Sequence, residues 1–235
     1  MTSSFFTQIG SDIDGEANYD YFGTSVSLSS DGSVVAIGAY LNDGNGTDSG
    51  HVRIYENVNN SWTQVGSDID GEAAGDRSGS RISLSSNGSV VAIGAPHNRN
   101  RVGQVRVYKN VNNSWTQVGG DIDGNEVAQS GYSVSLSSDG SVVAIGTPYS
   151  ENNRGHVKIY KNVNNTWTQI GSDIDGEGVG DLSGFAISLS ADGSVIAVGA
   201  GGNDGSGNNS GHVRIYENVN NSWTQVGSDI DGEAA

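Results

Sequence analysis

The sequence predicts an all-β fold, a β-propeller built from four-stranded antiparallel blades. Three observations carry this. One phrase recurs along the chain, and its anchors Phe6, Trp62, Trp115, Trp167 and Trp223 stand 52 to 56 residues apart. A period of that size marks one repeated supersecondary unit. Within each period, short alternating runs of apolar and small polar residues are separated by Gly-, Asn- and Asp-rich turns, the pattern of strands and not of helices. Four short antiparallel strands per repeat make a propeller blade.

The elements follow in order through the first repeat. Phe22–Ser29 alternates apolar and small residues and reads as a half-buried first strand. Ser30-Asp31-Gly32 is a hairpin turn, because Asp-Gly supplies the positive φ that a tight β-turn needs. The second strand, Ser33–Ala39, is almost wholly apolar and reads as buried on both faces. A polar loop follows, then a third strand at Gly50–Tyr55, a turn at Asn57–Asn60 and a fourth strand at Trp62–Gly66. The first and second strands are expected nearest the axis, and the tryptophans between neighbouring blades. One repeat domain spans 1–235, with blades at about 22–69, 78–122, 130–174 and 183–230.

The composition narrows the function classes. A formal net charge of −16 repels phosphate backbones and makes nucleic acid an unfavourable partner. With no cysteine there are no disulfides, thiolate metal sites or cysteine nucleophiles. No stretch reaches the length of a membrane-spanning helix, and Met1–Gly10 lacks the regions of a signal peptide, so the chain reads either as cytosolic or as one from which a leader is missing.

The text of the first three strands resembles the FG-GAP repeats of integrin-α-type propellers. Phe22-Gly23 supplies the "FG", Ile93-Gly94-Ala95-Pro96 the "GAP", and Gly103–Tyr108 the strand after it. Later copies keep the glycine and replace the phenylalanine, as in Ser78-Gly79, Ser130-Gly131 and Ser183-Gly184. The resemblance implies extracellular or surface adhesion or ligand binding, and no catalysis. It also implies calcium in a long Asp-rich loop between the first two strands. Here that loop is as short as Ser30-Asp31-Gly32, too short to wrap a cation, so the family's calcium residues do not carry over.

A different acidic cluster lies between the fourth strand and the next repeat. It comprises Asp12, Asp14, Glu16 and Asp20, then Asp68, Asp70, Glu72 and Asp76, and later Asp173, Asp175, Glu177 and Asp181. Two carboxylates flanking a sharp Asp-Gly turn suit a hard cation such as calcium. The same residues also suit a second role, as caps on backbone amides at the blade junction. The copy after Trp115 keeps Asp121 and Asp123 but moves its glutamate to Glu126 and lacks the last aspartate.

His51, His156 and His212 occupy one position on the third strand, where the second repeat has Gln104, and His97 lies in a loop. The loops between second and third strands vary most: Tyr40–Ser49, Pro96–Val102, Pro148–Arg154 and Gly201–Ser210. A protein or glycan ligand is expected there, since binding residues concentrate on variable loops of a rigid scaffold. Several Asn-x-Ser/Thr triplets, among them Asn59, Asn112 and Asn164, are glycan acceptors if the chain passes a eukaryotic secretory route.

A surplus fourth-type strand at Phe5–Ile13 duplicates the last one at Trp223–Ile230, and an unpaired edge is a template for another chain. The chain is therefore expected to bind itself, as a two-chain ring or a head-to-tail polymer. The functional expectation is a non-enzymatic surface module for binding, adhesion or assembly. The alternatives are a hydrolase or lyase on a propeller scaffold, or a fragment of a longer adhesin. The first strands, mostly small and apolar, favour the non-enzymatic reading.

Overall fold

The computed structural model describes residues 7–233. They form four antiparallel sheets, one per repeat. The first holds β1 (Ser25–Leu28), β2 (Val34–Ala39), β3 (His51–Val58) and β4 (Ser61–Gln64), with β5 (Ile69–Asp70) also on β3. The second holds β6 (Arg81–Leu84), β7 (Val90–Ala95), β8 (Gln104–Val111), β9 (Ser114–Gln117) and β10 (Ile122–Asp123). The third holds β11 (Ser133–Leu136), β12 (Val142–Thr147), β13 (His156–Val163), β14 (Thr166–Gln169) and β15 (Ile174–Asp175). The fourth holds β16 (Ser183–Leu189), β17 (Val195–Ala200), β18 (His212–Val219), β19 (Ser222–Gln225) and β20 (Ile230–Asp231). These are the blades of a β-propeller.

The fourth strand of each blade is broken in two, where a single run was expected. In the first blade Gly66, at φ +73°, turns the chain out of the sheet. Asp68 then accepts from Gln64 Nε2 at 2.6 Å and from Arg53 Nε at 3.0 Å, which pins the kink before β5 rejoins β3. The turn before β4 uses Asn59 and Asn60, both left-handed at φ 53° and 63°, as a two-residue hairpin requires.

Alternation along the strands gives each blade two apolar faces. Ala36, Val52, Ile54 and Ile69 form the back face of the first blade and pack against Leu84, Val91, Ile93, Tyr108, Ile82 and Trp115 on the front face of the second. The same pairing joins second to third and third to fourth. Every position of β7 and of β12 is buried, as two-sided packing demands.

The innermost strands present an edge that must be satisfied. Serine does this. Leu84 N donates to Ser27 Oγ at 2.9 Å, Leu136 N to Ser83 Oγ at 3.0 Å and Leu189 N to Ser135 Oγ at 3.0 Å. A second belt runs through the hairpin turns: Ser30 N to Ser86 O, Ser86 N to Ser138 O and Ser138 N to Ala191 O. Among the described residues no hydrogen bond or ion pair joins the first blade to the fourth, so the blades form an open arc.

The surplus strand at Phe5–Ile13 lies partly outside the described residues. Its described part is not a strand. It nevertheless takes the place of a preceding blade's fourth strand: Ile9 O accepts from Trp62 Nε1 at 2.9 Å, as Val65 O accepts from Trp115 Nε1 at 2.8 Å. No helix among the described residues is long and apolar enough to cross a membrane.

Candidate functional sites

The acidic links are gathered at the blade junctions, around the third-strand histidine. Glu16 and Asp68 both contact Arg53, the latter at 2.9 Å, and His51 Nδ1 lies 3.7 Å from Asp68 and 3.9 Å from Glu16. The fourth blade repeats this with Glu177, His212, Arg214 and Asp229, and the third with His156, Lys158, Asp173 and Asp175. In the second, Gln104 replaces histidine and donates to Glu72 at 3.1 Å. Asp229 belongs to this set although the sequence reading passed over it; its repeat position is that of Asp68.

The remaining residues of the expected calcium set are dispersed. Asp12 accepts from Gln8, and Asp14 and Asp70 are exposed. Asp20, Asp76 and Asp181 are buried: Asp20 accepts from Asn42 Nδ2, Asp76 from Ala73 N, and Asp181 from Gly178 N and Asn203 Nδ2. That is the capping role. At the junctions a calcium ion would compete with Arg53 or Arg214, whose guanidinium already lies on both carboxylates. The shortest loops do not fit calcium either, because Asp31 accepts from Ser33 N and Ser29 Oγ.

His51 is 1% exposed, and among the described residues neither ring nitrogen has a hydrogen-bond partner. Burial pushes its pKa below the usual value, against the opposing pull of Asp68. His156 is lowered by burial and by Lys158. These histidines are neutral parts of the core.

A second candidate site lies beside the loop after β7. The loop after β7 makes one tight turn, α1 (Asn98–Arg101), in which Arg99, Asn100 and Arg101 are left-handed at φ 50°, 58° and 72°. The third blade makes the same turn, with Glu151, Asn152 and Asn153 left-handed at φ 47°, 59° and 66°, so the backbone here follows the repeat and the departure lies in the side chains around it. The turn sets His97 in the wall shared by two hollows. One, of about 100 Å³, is lined by Tyr40, Arg77, Ser80, Arg81, His97 and Tyr132, among others. The other, of about 430 Å³, is lined by Glu72–Asp76 and His97–Asn100.

The chemistry here differs from the rest of the surface. Arg77 lies over the Tyr40 ring at 5.8 Å and Arg81 over the Tyr132 ring at 5.2 Å. Among the described residues neither guanidinium is ion-paired, in a chain of net charge −16. His97 is half-buried, and its pKa is lowered by burial and then by Arg77 and Arg101. Asn98, 5% exposed, has an Oδ1 without a donor. The arrangement offers a neutral imidazole, two unpaired cations and two aromatic faces. The variable loops mark the place of a ligand in the sequence, but His97 is only one loop residue there, and the first strands read as small and apolar. Arg81, on β6, is the departure.

Comparison with known proteins follows the architecture. The FG-GAP repeat family matches residues 12–55, so the first blade carries an FG-GAP repeat. No curated protein sequence matches the chain. Among solved structures, a candidate 6-phosphogluconolactonase from Bacteroides uniformis superposes with a TM-score of 0.62 at 14% identity, over 89% of this chain and 55% of that one. The periplasmic gluconolactonase of Pseudomonas aeruginosa gives 0.60 at 15%, over 91% and 58%. A further candidate 6-phosphogluconolactonase, from Bacteroides fragilis, gives 0.58 at 16%, over 88% and 54%. The chain thus spans a little over half the length of these structures, and at such identity the similarity is one of fold.

These neighbours correct one expectation. A non-enzymatic binding or adhesion module was expected because the resemblance implied no catalysis. The architecture instead matches propellers named as lactonases, and the side chains around His97 supply the polar cluster that the expectation took to be lacking.

Proposed function

We propose that the chain is part of a propeller-scaffold hydrolase that opens an anionic sugar lactone or a similar ester. One observation carries the reading: His97, held neutral beside Arg77 and Arg101, stands between two hollows with the unpaired guanidiniums of Arg77 and Arg81. The larger hollow falls in the size range of small-ligand sites, roughly 300–1,000 Å³. The smaller admits a single carboxylate, phosphate or carbonyl group. The naming of the structural neighbours supports the substrate class.

The chemistry follows from the groups. His97 accepts a proton from water as the water oxygen attacks the lactone carbonyl carbon. The carbonyl π pair moves to oxygen, and the resulting oxyanion lies against Arg77 or Arg81. The ring C–O bond then breaks, and the leaving alkoxide takes the proton back from His97, giving a hydroxy acid. Tyr40 and Tyr132 offer faces to the sugar ring, and Asn98 Oδ1 accepts from a hydroxyl.

The test is hydrolysis of gluconolactone and 6-phosphogluconolactone by the purified chain, followed above the spontaneous rate. Loss of turnover in H97Q with a folded protein supports the reading. Wild-type protein that leaves both lactones at their spontaneous rates removes it.

A further inference from the structure

We infer that the back face of the fourth blade binds the front face of the first blade on a second copy of this chain, in the register of the chain's own three junctions. The argument is continuity with an interface already seen three times. Inside the chain, Val52, Val105 and Val157 are fully buried, yet Val213 at the same position is 36% exposed. Ile69, Ile122 and Ile174 are each 5% exposed, and Ile230 is 59%. At the other end of the arc, Leu84 and Leu136 are 8% and 7% exposed, and Leu28 is 57%. The two uncovered faces are the two halves of one repeated contact.

A hollow of about 400 Å³ sits on the fourth blade, lined by Gly199, Ala200, Gly211, His212 and Val213, among others. At the internal junctions this space is filled by the next blade's Ser-Gly pair. A Cβ on Gly38 would meet Gly79 O and one on Gly50 would meet Ser78 O, both far inside contact distance. The first blade carries Phe22-Gly23 at that position, and a Cβ on Gly23 meets nothing within 4 Å.

Polar groups at the two ends match as well. The amides of Ser30, Ser86 and Ser138 each donate to the next blade's turn, whereas among the described residues Ala191 N has no such backbone partner. The carbonyls of Ser86, Ser138 and Ala191 accept those bonds, whereas Ser30 O accepts none. Ser27, Ser83 and Ser135 hydroxyls accept from the next first strand; Ser188, their counterpart, is exposed. Docking brings Ala191 N to Ser30 O and Ser188 Oγ to Leu28 N of the partner.

One element competes. Ile9 and Gly10 already cover Trp62, and Val226-Gly227 of an incoming copy carries the same text to the same seat. A Cβ on Gly227 meets nothing within 4 Å, where Gly66, Gly119 and Gly171 each meet the next blade's tryptophan, so that seat is open to Trp62 of a second copy. Association is therefore concentration-dependent. It is also heterologous, so it builds either a closed ring or an open polymer.

The experiment uses the full chain, which has no native cysteine. Sedimentation of the wild type across concentrations is expected to move from 24.2 kDa to at least twice that mass, and I230D is expected to hold it at the single-chain mass. Chains carrying S188C are mixed with chains carrying L28C and treated with a short bis-maleimide. Covalent dimers several-fold more abundant in the mixture than in either variant alone support the proposal. A wild type that stays at the single-chain mass throughout overturns it. So does equal cross-linking of S188C with itself, which indicates a symmetric contact.

Discussion

The indole Nε1 of Trp115 donates to the carbonyl of Val65 in the preceding blade, across 2.8 Å. Trp167 does the same to Val118 and Trp223 to Ile170, at 2.8 Å and 2.9 Å. Each tryptophan is thus a packing element and a polar tie between neighbours. W115F keeps most of the apolar area but orphans the carbonyl, and is expected to cost about 1 to 2 kcal/mol in denaturant unfolding. W62F is expected to cost less, since its bond to Ile9 is solvent-exposed. Equal losses at both positions would show that the bond itself contributes little.

Gly79 stands at φ +82°, and a Cβ there would meet His51 O at 2.5 Å. Gly23 has a similar φ, +91°, with open space around it. G23A should therefore cost only the left-handed penalty, about 1–2 kcal/mol. G79A adds a backbone clash and should lower the melting temperature distinctly more. The comparison separates junction packing from backbone strain.

The neutral histidines give the fold a pH dependence. The pKa values of His51, His97 and His156 are lowered in the folded state, so the unfolded chain binds protons first. Their contribution is fully present above the ordinary histidine value of about 6.5 and is lost as pH falls from there through the depressed folded values. H51Q copies Gln104 of the second blade and should flatten this part of the stability curve between pH 7 and 5. A curve of unchanged slope would place the dependence elsewhere.

In lactone hydrolysis the same direction applies to His97. The acid limb of kcat/KM should lie below pH 6.5, because Arg77 and Arg101 add to burial in disfavouring the imidazolium. H97Q should lower kcat by roughly 10²–10⁴-fold, the range of a general base. R81A should mainly raise KM, and more for the phosphorylated lactone than for the neutral one. A proportional rise for both would assign Arg81 to the Tyr132 contact and not to the anion.

Much of the architecture was legible because the repeat states it four times. Alternation gave the strands, Asp-Gly and Asn-Asn gave the turns, and the recurring tryptophan gave the junctions. The break in the fourth strand was not legible. It depends on Asp68 reaching Arg53 on a neighbouring strand, a contact between residues 15 apart in sequence. The acidic links looked like metal loops because their charge partners, Arg53 and Arg214, lie outside the motif. The site around His97 was half visible. Variable loops marked the place, but the meeting of Arg77, Arg81 and His97 requires three segments folded together.

The serine belts tie each blade only to the next. Such a linear array behaves as a chain of coupled units, whose stability is a sum of unit and nearest-neighbour terms. The two outer blades have one neighbour each and the two inner blades have two. Amide exchange should then be fastest in β1 and β20 and slowest in β7 and β12, and the arc should melt inward from its ends. The smaller hollow beside His97 is lined from the first three blades and so leans on both junctions of an inner blade, where local opening costs more than at the ends.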